Sequence, residues 1–266
     1  QGGLWQLLEA LSDARGLPPQ LRGRFYAQFE DSQLHSALIA ALGARGPIQS
    51  AVRRCVRNLA RAPEPRRLLI PAAPILVENL SEAALARDSA AALCNVCCHG
   101  DAKGRAVECG AVRQVLTSLR MEGLASDTAE DLVACLGVLT GGFEQGIAAL
   151  FALAAEEGEA NTFEPLVSLL GSEDAPALQC LVMDVLGGIC AASPQFKAWL
   201  IGESKAVSTE LPALLRSQDG SVRLAALEFS GLLSEADNFR AAFERAGGVQ
   251  SLQTVLEMEQ PAPPAA

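Results

Sequence analysis

An all-α solenoid is the fold class this sequence predicts, on three observations. Helix formers, Ala and Leu above all, dominate, while aromatic residues make up only 5%, a poor supply for the core of a sheet protein. Hydrophobic residues amount to 50%, too many for a disordered chain. Apolar positions recur at three- and four-residue spacing in one segment after another, and the segments themselves recur along the 266 residues.

Taken in order, Leu4, Leu7, Leu8 and Leu11 share a helical face, broken by Gly16-Leu-Pro-Pro19. Helices through Phe25 and Phe29, then Leu34 to Leu42, follow and stop at Gly43 and Gly46-Pro47. Val52, Cys55, Val56 and Leu59 mark the next helix, closed by Pro63-Glu-Pro65. Between Leu68 and Leu80 a helix is expected only after Pro74, because proline lacks the N–H a helix interior needs. Ala84 to Leu119 reads as one unit: a long helix ending near Cys98, a short one from Gly104, a corner at Gly110 and a further helix. Asp127 to Leu139 is helical up to Gly141-Gly142, with helices through Ile147–Leu153 and Phe163–Leu170 behind it. Pro176 opens a longer helix, Ser193-Pro194 reads as an N-cap and first-turn pair, and Asp219-Gly-Ser221 starts another helix. Ala236–Arg245 and Gly247–Met258 close the series.

The long helices align at Asn58, Asn95, Gly137, Gly188 and Gly231, each followed by an aliphatic residue, at intervals of 37, 42, 51 and 43 residues. The period is in the range of about 40–47 residues of armadillo and HEAT repeats. A Gly or Pro at the turn into each closing helix favours the three-helix armadillo form, a right-handed superhelix. Residues 1–259 thus read as one repeat domain of about five to six units, the first ~47 residues atypical or capping, and 260–266 as a Pro/Ala-rich tail.

A net charge of −10 argues against nucleic acid and favours basic partners. Arg45, Arg53, Arg54, Arg57, Arg61, Arg66 and Arg67 crowd the first quarter, and Glu156 to Asp174 is acid-rich. Solvated helix faces are the plain reading of both runs. Most of the eight cysteines lie in apolar helical runs, where a thiol serves as a small hydrophobe and a reducing, cytoplasmic setting is implied. No apolar run reaches membrane-span length, no leader pattern opens the chain, and a start at Gln1 reads as a domain trimmed from something longer.

No phosphate loop, Rossmann glycine run or zinc-protease motif is present. With only His35 and His99 available, Ser-His-Asp chemistry has little to work with, so no catalytic residue or cofactor is assigned. Cys94-x-x-Cys97-Cys98-His99, with Cys109 beyond, carries zinc-ligand types. Three of them sit on one helix without a second pair, so core packing is the simpler reading and no metal is assigned. Arg54, Asn58 and Arg61 share a face by four- and three-residue spacing and, with Asn95, form a candidate partner-binding groove. An amide both donates and accepts, which suits an extended peptide backbone; importin-α and β-catenin use Asn this way. Only two units carry the Asn, so a regular ladder is not expected, and neither Trp5 nor Trp199 falls on a long helix. Gly137, Gly141, Gly188 and Gly231 thin the long helices, either for close packing or as a candidate groove for an apolar ligand.

Ala91-Ala-Leu-Cys-Asn-Val-Cys97, Lys103-Gly-Arg-Ala-Val107 and Gly110 resemble a repeat of the smg GDP dissociation stimulator family. The likeness continues loosely through Leu178-Gln-Cys-Leu181 and Ala246-Gly-Gly-Val249 to Met258 and fades in the first 80 residues. The resemblance implies a regulator of Ras- and Rho-type GTPases that loosens bound nucleotide and shields a prenylated tail. It also implies an indirect membrane link through the lipidated partner. An acidic body suits a polybasic tail, and an opened groove suits a prenyl chain. The competing expectation is a generic adaptor in which Arg54, Asn58, Arg61 and Asn95 hold an acidic or phosphorylated peptide.

Overall fold

The computed structural model describes residues 18–43 and 49–258. The expectations for Leu4–Leu11, Trp5, Arg45, Gly46-Pro47 and the 260–266 tail lie outside them. The described residues form seventeen α-helices and no strand, and the contacts divide the chain into two compact units, Gln1–Leu150 and Phe151–Ala266.

In the first unit the helices are α1 (Pro19–Asp31), α2 (Leu34–Leu42), α3 (Gln49–Leu59), α4 (Pro63–Leu68), α5 (Ala73–Asn79), α6 (Ala83–Val96), α7 (Gly100–Glu108), α8 (Ala111–Leu119) and α9 (Ser126–Thr140). α10 (Glu144–Glu157) spans the division. Three details differ from expectation. Pro63 does more than end α3: it sits in the first turn of a helix of its own, where a missing N–H costs nothing. Pro74 likewise lies inside the first turn of α5, which starts at Ala73. α7 begins at Gly100, not Gly104, because the imidazole of His99 caps it, Nδ1 accepting from the Asp101 N–H at 3.2 Å. Gly110 makes the α7–α8 corner at φ +83°, a conformation glycine adopts without penalty.

The second unit holds α11 (Glu159–Val167), α12 (Pro176–Ala192), α13 (Pro194–Gly202), α14 (Leu211–Leu215), α15 (Gly220–Leu233), α16 (Phe239–Arg245) and α17 (Gly248–Met258). Ser193 accepts from the Phe196 N–H at 3.1 Å, and Asp219 accepts from the N–H groups of Ser221 and Val222. Each thereby satisfies donors that a helix start leaves open. α11 starts at Glu159, four residues ahead of Phe163, and tightens into a 3₁₀ turn, Ser168–Gly171, after Pro165 removes one helical donor. A π-helical segment, Ala206–Glu210, leads into α14.

Long helices pack on long helices: α3 on α6 and α6 on α9 in the first unit, α12 on α15 in the second. Buried Leu93 and Val96 of α6, and Leu132 and Leu136 of α9, fill these seams. Burying each such side chain contributes about 1.5–3 kcal/mol. The second unit adds an aromatic centre in which Phe163 lies 4.5 Å from Phe196 and 5.5 Å from Trp199, ring centre to ring centre. That is where Trp199 is spent.

Long-range side-chain bonds and ion pairs span 34 to 44 positions. Arg53 reaches Ser89 across 36 positions, Arg67 reaches Glu30 across 37, and Asn95 reaches Arg57 and Ser118 reaches Leu80 across 38 each. In the second unit Lys197 binds the Leu232 carbonyl and the Glu235 carboxylate across 35 and 38 positions. Lys103, also fourth in its helix, lies 5.2 Å from the Phe143 ring centre just past the end of α9. The two lysines therefore clamp the C-terminal ends of α9 and α15 from equivalent positions.

Candidate functional site

In the first unit two of the residues expected to bind a partner, Arg54 and Asn95, have partners within the fold. Arg54 of α3 stands 3.8 Å from Asp88 of α6. Arg87 of α6 pairs with Asp127 and, at 3.6 Å, with Asp131 of α9. Burial pushes the Asp131 carboxyl up, against the pull of Arg57 and Arg87. Asn95 donates its Nδ2–H to the Arg57 carbonyl at 2.9 Å, tying α6 to α3. Asn58 is half-buried on α3. Arg61 lies past the last residue of that helix, in an exposed turn, so the spacing argument for a shared face holds for Arg54 and Asn58 only. Arg87 was not singled out in the sequence. Its signal is the acid pair Asp127 and Asp131, one turn apart on α9, which needs a cation opposite.

Asn95 therefore acts first as a helix-to-helix tie. Replacing it by alanine is expected to destabilise the first unit by about 1 kcal/mol, the usual net contribution of such a bond. A urea titration measures this, and an Asn95→Ala protein as stable as the parent would rule the tie out.

Arg53 departs most from the solvated-face reading. It is fully buried, and its Nε donates to Ser89 Oγ at 3.1 Å. Burial draws its pKa down while Asp88 and Glu82 hold it up. Its Nη1 and Nη2 atoms have no hydrogen-bond partner.

The cysteine run does not assemble as a ligand set. Cys97 is buried and donates to the Ala102 carbonyl at 3.8 Å, whereas Cys98 and Cys109 are exposed. Among the described residues no three His, Cys, Asp or Glu side chains converge to hold a metal ion. Desolvation pushes the thiols of Cys94 to about 11 and of Cys97 to about 12, and raises that of fully buried Cys135 as well. All three therefore stay protonated near neutral pH and are poor nucleophiles.

The four glycines of the candidate apolar groove fall in different settings. In the first unit Gly137 is half-buried in α9, and its carbonyl accepts from the Gly141 N–H at 2.7 Å, closing the helix. In the second unit Gly188 and Gly231 are exposed, and a methyl group added at either would meet nothing within 4 Å. Gly188 lines a cleft of about 540 Å³ between α12 and α15. Gly231 lines a separate one of about 690 Å³, walled by Phe239, Phe243 and Val249. Asp184 and Glu228, on the walls of the first cleft, went unremarked in the sequence. They could have been found as acids within one turn of a long-helix glycine.

A third cleft, about 460 Å³, lies beside the 3₁₀ turn and α14 and includes Glu210, the last residue of the π-helical segment. Burial is the main cause of a raised Glu210 pKa; Glu164 and Glu173 add to it and Lys205 opposes it. With the folded-state pKa above the unfolded one, the protonated form favours folding. That stabilisation is complete below the unfolded pKa and is lost as pH rises through the folded pKa. Glu210→Gln is therefore expected to melt higher than the parent at about pH 7.5, with the difference closing toward about pH 4. A gain that persisted unchanged at the lower pH would contradict this.

Neither a protein-family model nor a curated protein matches the chain. Among the described residues no single helix is long and apolar enough to cross a membrane.

Proposed function

We propose that the chain is an armadillo-type scaffold, a right-handed superhelix of three-helix repeats, that binds small GTPases of the Ras and Rho type. In this reading it stimulates release of their nucleotide and shelters a prenylated tail, working in the cytoplasm by binding rather than by covalent catalysis. The observation that carries the scaffold is the span of the cross-helix bonds and ion pairs, 34 to 44 positions. Bonds of this span are what stacking each long helix on its predecessor requires.

The GTPase assignment draws on the resemblance of Ala91–Gly110 to the smg GDP dissociation stimulator family. A net charge of −10, which suits a polybasic partner, supports it. So do the two clefts left open at Gly188 and Gly231. The adaptor reading is weaker, because Arg54 faces Asp88 and Asn95 is held by the Arg57 carbonyl. The test presents the purified chain with GDP-loaded Ras and Rho proteins, prenylated and unprenylated. Co-elution and faster GDP release are expected, and failure to bind either form overturns the proposal.

A further inference from the structure

Residues 234–238 join α15 to α16, and all but half-buried Ala236 are exposed. Ser234 opens this turn, with Glu235 next to it and Asp237 three positions on. Among the described residues three hydroxyls have an acid at the third position downstream: Thr128 before Asp131, Ser234 before Asp237 and Thr254 before Glu257. Thr128 is 8% exposed in the first turn of α9, and Thr254 is half-buried in α17, its hydroxyl donating to the Gln250 carbonyl. Ser234 is the one of the three that is exposed and outside a helix. Its hydroxyl donates to the Gly231 carbonyl at 2.7 Å, closing the last turn of α15. It also lines the cleft of about 690 Å³ beside Gly231, together with Asp237 and Arg240.

We propose that Ser234 is a phosphorylation site for an acid-directed protein kinase, one with a basic substrate groove, and that its phosphate shuts the cleft beside Gly231 to apolar ligands. In the transfer Ser234 Oγ attacks the γ-phosphorus of ATP. The new Oγ–P bond forms as the bond from that phosphorus to the bridging oxygen breaks, ADP leaves, and the hydroxyl proton goes to the kinase's catalytic base. The esterified oxygen has no proton left for the Gly231 carbonyl. A phosphate carries a charge of about −1.5 to −2, and here it stands at the negative end of the α15 dipole, beside Glu235 and Asp237. Lys197 is already shared between the Leu232 carbonyl and the Glu235 carboxylate. Arg240, 3.9 Å from Glu244 and on the same cleft wall as Ser234, is the cation that draws the phosphate across the opening. A hydrocarbon entering the cleft must then strip water from a dianion. The closing effect rests on the reading of this cleft as a shelter for a prenyl chain; the modification itself does not.

The test incubates the full chain with Mg²⁺, ATP and an acid-directed serine/threonine kinase and maps incorporation by mass spectrometry. One phosphate on Ser234 is expected, and none in its place in Ser234→Ala. Asp237→Asn should slow incorporation about tenfold or more, as loss of a charge-assisted contact to the kinase does. Asp237 makes no ion pair or side-chain bond among the described residues, so this variant leaves the fold undisturbed. No incorporation, incorporation at another residue instead, or an equal rate with Asp237→Asn would each overturn the site. A fluorescent farnesyl-cysteine analogue is then titrated into the unmodified and the phosphorylated chain. Affinity about tenfold lower after phosphorylation is expected, and equal affinity overturns the closing effect. No binding of the analogue even before phosphorylation removes the prenyl-shelter reading and the closing effect with it, while a phosphate found on Ser234 stands by itself.

Discussion

Truncating Phe163 to alanine is expected to destabilise the second unit by about 3–5 kcal/mol, the range for a buried aromatic lost from a core that cannot collapse around it. Phe163 is completely buried, and three rings pack on it: Phe196 at 4.5 Å, Trp199 at 5.5 Å and Phe151 at 6.1 Å between centres. These rings come from α10, α11 and α13, so the cavity would open where three helices meet and no single helix could move to fill it. Trp199 fluorescence during urea unfolding reports the loss directly. Phe151, half-buried at the edge of the same cluster, should cost distinctly less when truncated. A Phe163→Ala protein within 1 kcal/mol of the parent would show that the aromatic centre does not hold this unit together.

The second large effect comes from adding a single carbon. A methyl group at Gly146 would collide with the backbone carbonyl of Leu139 and approach the Phe143 ring at 3.3 Å. Both belong to the reversal that turns α9 into α10 through Gly141-Gly142. A carbonyl cannot swing aside as a side-chain tip can, so α10 must lift away. Gly146→Ala is expected to cost about 1–3 kcal/mol, the range for overpacking, and Gly146→Val more. Gly188→Ala is the matched control. It places the same methyl in open space inside a helix, where alanine outperforms glycine by about 0.5–1 kcal/mol. Thermal melts of the two proteins should therefore shift in opposite directions. An upward shift for Gly146→Ala would mean that the α9–α10 reversal has room for the methyl group, and a downward one for Gly188→Ala that its surroundings are not open.

The elements were largely legible in the sequence because their signals are local. Ser193, Asp219 and Gly110 mark helix boundaries by what their own atoms do for the adjoining backbone, and the periodic Leu and Val positions mark the buried faces. What was not legible depends on partners 34 to 38 positions away. Arg53 stands among seven arginines that look alike in sequence, yet among the described ones it is the one fully buried, bonded to Ser89. Arg54 and Asn95 offered the right chemistry for an external ligand, but the acid and carbonyl that engage them belong to neighbouring helices. Pro63 and His99 were misjudged for another reason. Pro63 closes the turn after one helix and also opens the next, a favoured first-turn place for proline, while His99 serves as a cap through its imidazole.

The span of the cross-helix bonds also bears on how the chain gets folded. The cross-helix bonds and ion pairs close loops of 34 to 44 positions, and closure entropy rises only with the logarithm of that length. Within each unit the chain thus gathers order in short steps, α6 packing on α3 and α9 on α6 in the first, α15 on α12 in the second. Low contact order of this kind goes with fast folding, and it lets substitutions accumulate in one step of the series without raising the barrier at the next.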